Sequence, residues 1–101
     1  MNPNSKPTLV VNRRREPFDV YIGRGSIWGN RFVHLITGRH QGVIVVATRD
    51  EAIDRYAEWI MTQPQLLARL PELRGKRLGC YCAPLRCHGE ILADLADALP
   101  G

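Results

Sequence analysis

The sequence predicts a small α/β domain. It reads as a three-layer-like fold with a mostly parallel sheet of about four strands and two to three covering helices. The domain spans residues 8–101, behind a flexible tail over residues 1–7. Three observations predict this class. The 101 residues allow one core and leave no room for a second. Short β-prone runs give way to 3.6-period apolar patterns in the second half, the order that builds parallel sheets covered by helices. The last strand meets the last helix in a segment dense in cysteine and histidine (Cys80, Cys82, Cys87, His88), at the strand end where open α/β sheets bind ligands.

The elements follow in order. Thr8 to Val11 is a short β-prone run. Arg13-Arg14-Arg15-Glu16-Pro17 breaks it, and a second strand runs from Phe18 to Ile22 with Phe18, Val20 and Ile22 on one face. A glycine-rich loop, Gly23 to Asn30, comes next. Gly38, Gln41 and Gly42 mark an exposed turn. Gly42 to Ala47 is the strongest strand signal, and its unbroken apolar run predicts burial on both faces. Thr48 and Glu51 form a capping box. The helix they open runs to about Thr62, with Ile53, Tyr56, Ala57 and Ile60 on its apolar face. Pro64 ends or restarts it, and Gln65 to Leu70 makes a short second helix closed by Pro71. After the turn Arg74-Gly75-Lys76, a strand runs from Arg77 to Cys82. Ala83 to Arg86 is a tight connection. A last helix begins at Cys87 or His88 and runs to about Leu99, with Ile91, Leu92, Leu95 and Leu99 as its apolar face.

Bulk properties narrow the function. The hydrophobic fraction is 45%, that of an ordinary globular chain. No apolar run approaches the roughly 20 residues that span a bilayer. The first seven residues are polar and proline-broken, unlike a secretory leader. The expected location is therefore the cytoplasm, with no membrane partner. Three cysteines clustered within eight positions do not make a secreted disulfide framework. In a reducing compartment such thiols are metal ligands, reactive groups or small buried residues. The net charge is +4, and twelve of the fourteen basic residues are arginine. The guanidinium fork suits phosphate and carboxylate, although a GC-rich genome explains the arginine excess equally well.

The cysteine–histidine segment admits four readings. Thiolates and imidazole suit a structural zinc site, but ligands drawn from one short segment are poorly spaced for it. Cys80 and Arg86 match the C-x5-R spacing of cysteine phosphatases, with Pro84 lacking an N–H where that loop needs one. A third reading is a ligand site, in which Cys87, His88 and a helix N-terminus contact an anionic or nucleotide-like group. The fourth is plain packing of small cysteines. The loop of Gly23, Gly25 and Gly29 only loosely matches a dinucleotide fingerprint. Within it, Arg24 suits phosphate, Trp28 suits stacking on a base and Asn30 suits an amide-like edge. A tight turn with Trp28 as a core plug is the competing reading. Arg13-Arg14-Arg15 reads as a solvated basic patch, with nucleic-acid contact as the alternative.

Two motifs together resemble a known family. Tyr21-Ile22-Gly23-Arg24-Gly25-Ser26-x-Trp28-Gly29-Asn30-x-Phe32 resembles the front motif of the domain of unknown function 4326 family of bacterial and phage proteins. Gly75 to Leu92, with Cys80, Cys82, Cys87 and His88, resembles its back motif. Tyr56, Trp59 and Pro64 between them also fit. The resemblance covers residues 18 to 97 and implies a fold unit, a site and a phage or prophage origin, without a reaction. Arg31 stands where the family usually has proline, and Tyr81 where it often has tryptophan. The stretch from Val33 to Ala47 is longer than the family leads one to expect and reads as an extra hairpin.

The leading expectation is a domain that binds, and could process, a nucleotide-like or phosphorylated ligand in a pocket shared by the two motifs. Arg24, Ser26, Trp28, Asn30 and Cys87 are its binding candidates, and His88 and Cys82 its catalytic ones. The alternative is a non-enzymatic zinc module contacting nucleic acid or a host protein, with Cys80, Cys82, Cys87 and His88 as ligands. A third expectation is a protein that acts only by binding a host factor.

Overall fold

The structure is a computed structural model and describes residues 7–33, 44–81 and 85–98. In chain order the elements are β1 (Leu9–Asn12), β2 (Val20–Tyr21), β3 (Phe32–Val33), β4 (Ile44–Val45), α1 (Arg49–Ile60), α2 (Pro64–Leu67), a 3-10 turn (Leu70–Leu73), β5 (Arg77–Cys80) and α3 (His88–Asp97). The fold is α/β. Three parallel strands form one sheet in the order β1-β5-β2, and β3 and β4 form a separate parallel pair.

The last strand is the central one. Val10 pairs with Leu78 and Val11 with Gly79 on one side of β5, and Val20 with Leu78 and Tyr21 with Gly79 on the other. Alternation then sorts the side chains. Val10, Leu78, Cys80 and Ile22 face α3, which packs on this side. The approach is close: a Cβ on Gly89 would come within 2.8 Å of Ile22 Cδ1 and 2.9 Å of Val10 Cγ1. Leu78, Leu92, Ile22, Tyr56 and Ile60 are fully buried in the shared core. Val11, Gly79 and Tyr21 face the opposite side. At the chain's other end, the Thr8 hydroxyl donates to Asp97 Oδ1 at 2.6 Å and accepts from the Gly75 N–H at 2.9 Å, tying β1 to the end of α3.

Helix α1 starts where the capping box predicts. Thr48 Oγ1 accepts from the Glu51 N–H at 3.0 Å, and Glu51 Oε2 accepts from the Ala47 N–H at 3.0 Å, one residue before the cap. Its buried face is Ala52, Ile53, Tyr56 and Ile60, so Ala52 takes the place expected for Ala57. In α3 the buried face is His88, Gly89, Leu92, Ala93 and Ala96. Ile91 and Leu95 are only half-buried, and Leu99 lies outside the described residues.

Three expectations are corrected. Over its described part the Gly42 to Ala47 run is not a strand buried on both faces: β4 spans Ile44–Val45, which are 49% and 60% exposed, while Gly42 and Val43 lie outside the described residues. Among the described residues β4 pairs with β3, while β5 takes the central place between β1 and β2. Residues 34–43, on which the expected extra hairpin falls, lie outside the described residues. Phe18 does not share a face with Ile22. It precedes β2 and lies across Gly79, whose missing side chain leaves room for the ring. The short helix starts at Pro64 rather than Gln65, and Pro71 sits inside the 3-10 turn that follows.

Candidate functional site

The two motifs meet around His88. Cys80 ends β5, and Cys87 caps α3, its Sγ accepting from the Gly89 N–H at 3.3 Å. The two sulfurs lie 3.5 Å apart and both are buried. His88 begins the helix and turns its ring toward the front motif. Its Nε2 donates to the Ile22 carbonyl at 2.7 Å, and its ring meets Tyr56 edge to face at 4.9 Å. Burial pushes the His88 pKa below its ordinary value, and the carbonyls of Ile22 and Trp28 act against that shift. The Tyr56 hydroxyl donates to the Trp28 carbonyl at 2.8 Å, and burial pushes its own pKa well up. The arrangement cross-links three segments far apart in sequence.

The front loop spends most of its polar groups on itself. Ser26 Oγ donates to the Gly23 carbonyl at 2.7 Å and accepts from the Trp28 N–H at 3.3 Å. Asn30 Nδ2 donates to the Ala52 carbonyl at 3.0 Å, and its Oδ1 accepts from the Phe32 N–H at 2.9 Å. Trp28 is 3% exposed and belongs to the core, so a base cannot reach its face without displacing core atoms. Arg24 is exposed, and its carbonyl accepts from the Tyr21 hydroxyl at 2.9 Å. Of the expected binding residues, Arg24 alone presents itself to solvent.

Cys82 lies outside the described residues, as do Ala83 and Pro84. Among the described residues no three His, Cys, Asp or Glu side chains gather in a way that could hold a metal ion. The C-x5-R reading fits poorly. Cys80 is buried, and Arg86 is held by Asp50 at 2.8 Å, Asp54 at 3.6 Å and Glu90 at 3.7 Å.

A second cluster sits on the other face of the sheet, at the carboxyl ends of its strands. Asn12 ends β1 and builds the turn that follows. Its Oδ1 accepts from the Arg14 N–H at 2.9 Å, and its carbonyl accepts from the N–H groups of Arg15 and Glu16. The Arg13 N–H continues the ladder to the Cys80 carbonyl at 2.8 Å. The Arg13 guanidinium lies 4.7 Å from the Tyr21 ring, 5.0 Å from Tyr81 and 5.8 Å from Phe18. Arg14 lies 5.0 Å from Tyr81, and the two tyrosines meet edge to face at 6.3 Å. Tyr81 is 49% exposed. Among the described residues no carboxylate pairs with Arg13, Arg14 or Arg15, and the nearby Glu16 is taken by Arg77 at 3.1 Å. Sequence reasoning singled out Arg13 to Arg15 but missed the aromatic partners of Arg13 and Arg14. The signal was present: if Cys80 and Cys82 share one face of a strand, Tyr81 must point the other way.

Among the described residues no helix is long and apolar enough to cross a membrane. A family profile, domain of unknown function (DUF4326), matches residues 10–98. Over 90 residues the chain is 40% identical to a protein of Enterobacteria phage T4, the uncharacterized 12.4 kDa protein in the nrdA-td intergenic region. That alignment covers 89% of this chain and 78% of the phage protein. No solved structure matches.

Proposed function

This chain belongs to the family described as domain of unknown function (DUF4326), which has a bacteriophage member, and we propose that it binds a nucleotide-like, phosphorylated ligand at the carboxyl ends of β1, β5 and β2. One observation carries the proposal: the Arg13 guanidinium lies over the rings of Tyr21 and Tyr81, with no carboxylate paired to it among the described residues. Contact with ring faces does not consume the guanidinium N–H groups, which can serve phosphate oxygens. The rings offer a stacking surface for a base. The position is also where parallel sheets bind ligands. The stacking role expected of Trp28 passes to Tyr81. His88 serves as framework here, since moving a proton for a ligand would cost it the bond to Ile22.

The test is a thermal-shift panel of nucleoside mono-, di- and triphosphates, with inorganic phosphate as the reference. Binding at about ten times Kd stabilises by about 1.4 kcal/mol, a rise in Tm of about 6–11 °C for a domain of this size. At least one nucleotide should exceed phosphate, and Arg13→Ala should abolish the difference. A flat panel refutes the proposal.

The 3.5 Å approach of Cys80 and Cys87 favours a second reading, a zinc-bearing module. Tetrahedral zinc with bonds of about 2.3 Å holds two sulfurs about 3.8 Å apart. Cys82 would have to supply a third ligand. Elemental analysis of the purified protein decides it, and zinc well below one equivalent rules it out.

A further inference from the structure

We infer that the ligand of the Arg13 cluster is single-stranded nucleic acid rather than a free nucleotide, an inference that rests on the binding reading above. The cluster is larger than one nucleotide covers, so a mononucleotide binds it weakly and a polymer tightly. One nucleotide brings one base and one phosphate group. Here Arg13 lies over Phe18, Tyr21 and Tyr81, Arg14 lies over Tyr81, and an exposed Arg15 follows them in the chain. Pockets for small ligands enclose most of the ligand, whereas Tyr81 stands half in solvent and Phe18 is exposed. An open surface gains affinity by adding weak contacts along a polymer.

The chemistry suits unpaired bases. Aromatic rings and guanidinium planes are both flat stacking partners, and Arg13 and Arg14 each lie 5.0 Å from the Tyr81 ring. In a duplex the base faces are buried in the stack, so these rings have no use for it. Arg14 and Arg15 follow Arg13 on the Asn12 turn, and their charges suit the backbone phosphates. Asn12 and Gly79 belong to the same device. Asn12 sets the turn, and Gly79 makes room for Phe18, whose Cγ would lie 2.6 Å from a Cβ there.

Fluorescence anisotropy with labelled oligothymidylate and oligouridylate of about 12 nucleotides tests this. A blunt duplex of the same length and thymidine monophosphate serve as competitors. Log affinity should fall with log salt at a slope of about −0.7 for each phosphate engaged, about −2 for three arginines. Arg13→Ala and Arg14→Ala should each make the slope shallower by about 0.7. Tyr81→Ala should weaken binding about 5- to 150-fold and leave the slope unchanged, with Tyr81→Phe restoring it. Circular dichroism melts verify that each variant folds. If Tyr81→Ala does not fold, Tyr81→Phe and the arginine slopes carry the test.

The outcomes separate the two proposals. A monophosphate that binds as tightly as the oligomers overturns this inference and leaves the nucleotide reading standing. A duplex bound as tightly as the single strand also overturns it. If neither oligomer nor mononucleotide binds, both proposals fall.

Discussion

Acid should destabilise this protein through His88, and the sign follows from its surroundings. The ring is buried against Tyr56 and bonded to the Ile22 carbonyl. Burial lowers its pKa from the ordinary 6.5, with the Ile22 and Trp28 carbonyls opposing the shift. In the unfolded chain the ring takes up its proton near 6.5, while the folded protein resists until the pH is lower. Below that point the unfolded state binds more protons, so stability falls as the pH falls. The contribution of His88 is whole above the unfolded pKa and is lost as the pH drops toward the folded one. One proton limits the slope to about 1.4 kcal/mol per pH unit, or about 5–11 °C in Tm. The assay is a series of thermal melts from about pH 8 to about pH 5, comparing the wild type with His88→Gln. Glutamine keeps an N–H for the Ile22 carbonyl and does not titrate. Carboxylates and the other two histidines, His34 and His40, are common to both proteins and cancel. The variant should show the flatter profile. Equal slopes, or a wild type stabilised by acid, would refute the reasoning.

Three further outcomes are expected from urea unfolding. Tyr56→Phe keeps the ring but removes the hydroxyl's hydrogen bond to the buried Trp28 carbonyl, which His88 also approaches, at a cost of about 0.5–1.5 kcal/mol. Thr48→Ala removes the side-chain cap of α1 and should cost about 1 kcal/mol. Val45→Ser should change stability by less than about 0.5 kcal/mol, because the side chain is exposed; a loss of several kcal/mol would restore the buried-strand reading of Gly42 to Ala47.

The legible parts of the site were local ones. Cys87 is the cap of α3, as a sulfur two residues before a glycine N–H allows, and the paired motifs mark the family correctly. The front loop was legible as a turn, but not in its use of Ser26 and Asn30 as internal braces, since those bonds run to Gly23, Ala52 and Phe32. The same residue types would have served a ligand. Only the direction of each side chain separates the two uses, and loop spacing does not encode direction.

What the sequence by itself determined about this protein is what neighbouring residues decide among themselves. The α/β class follows from periodicity. The start of α1 follows from Thr48 and Glu51, and the handover from β5 to α3 from the residues around Cys80 and His88. What only the tertiary structure decided is which surfaces face each other. An apolar run such as Val43 to Ala47 looks buried in sequence, yet β5, with only Leu78 and Cys80 to offer the core, takes the centre of the sheet because β1 and β2 pair on both its sides. Trp28 goes inward and Tyr81 outward for the same reason. The bond of Tyr56 to Trp28 spans 28 residues, and that of His88 to Ile22 spans 66. Contacts at that separation form only when the whole chain closes, so no local pattern records them.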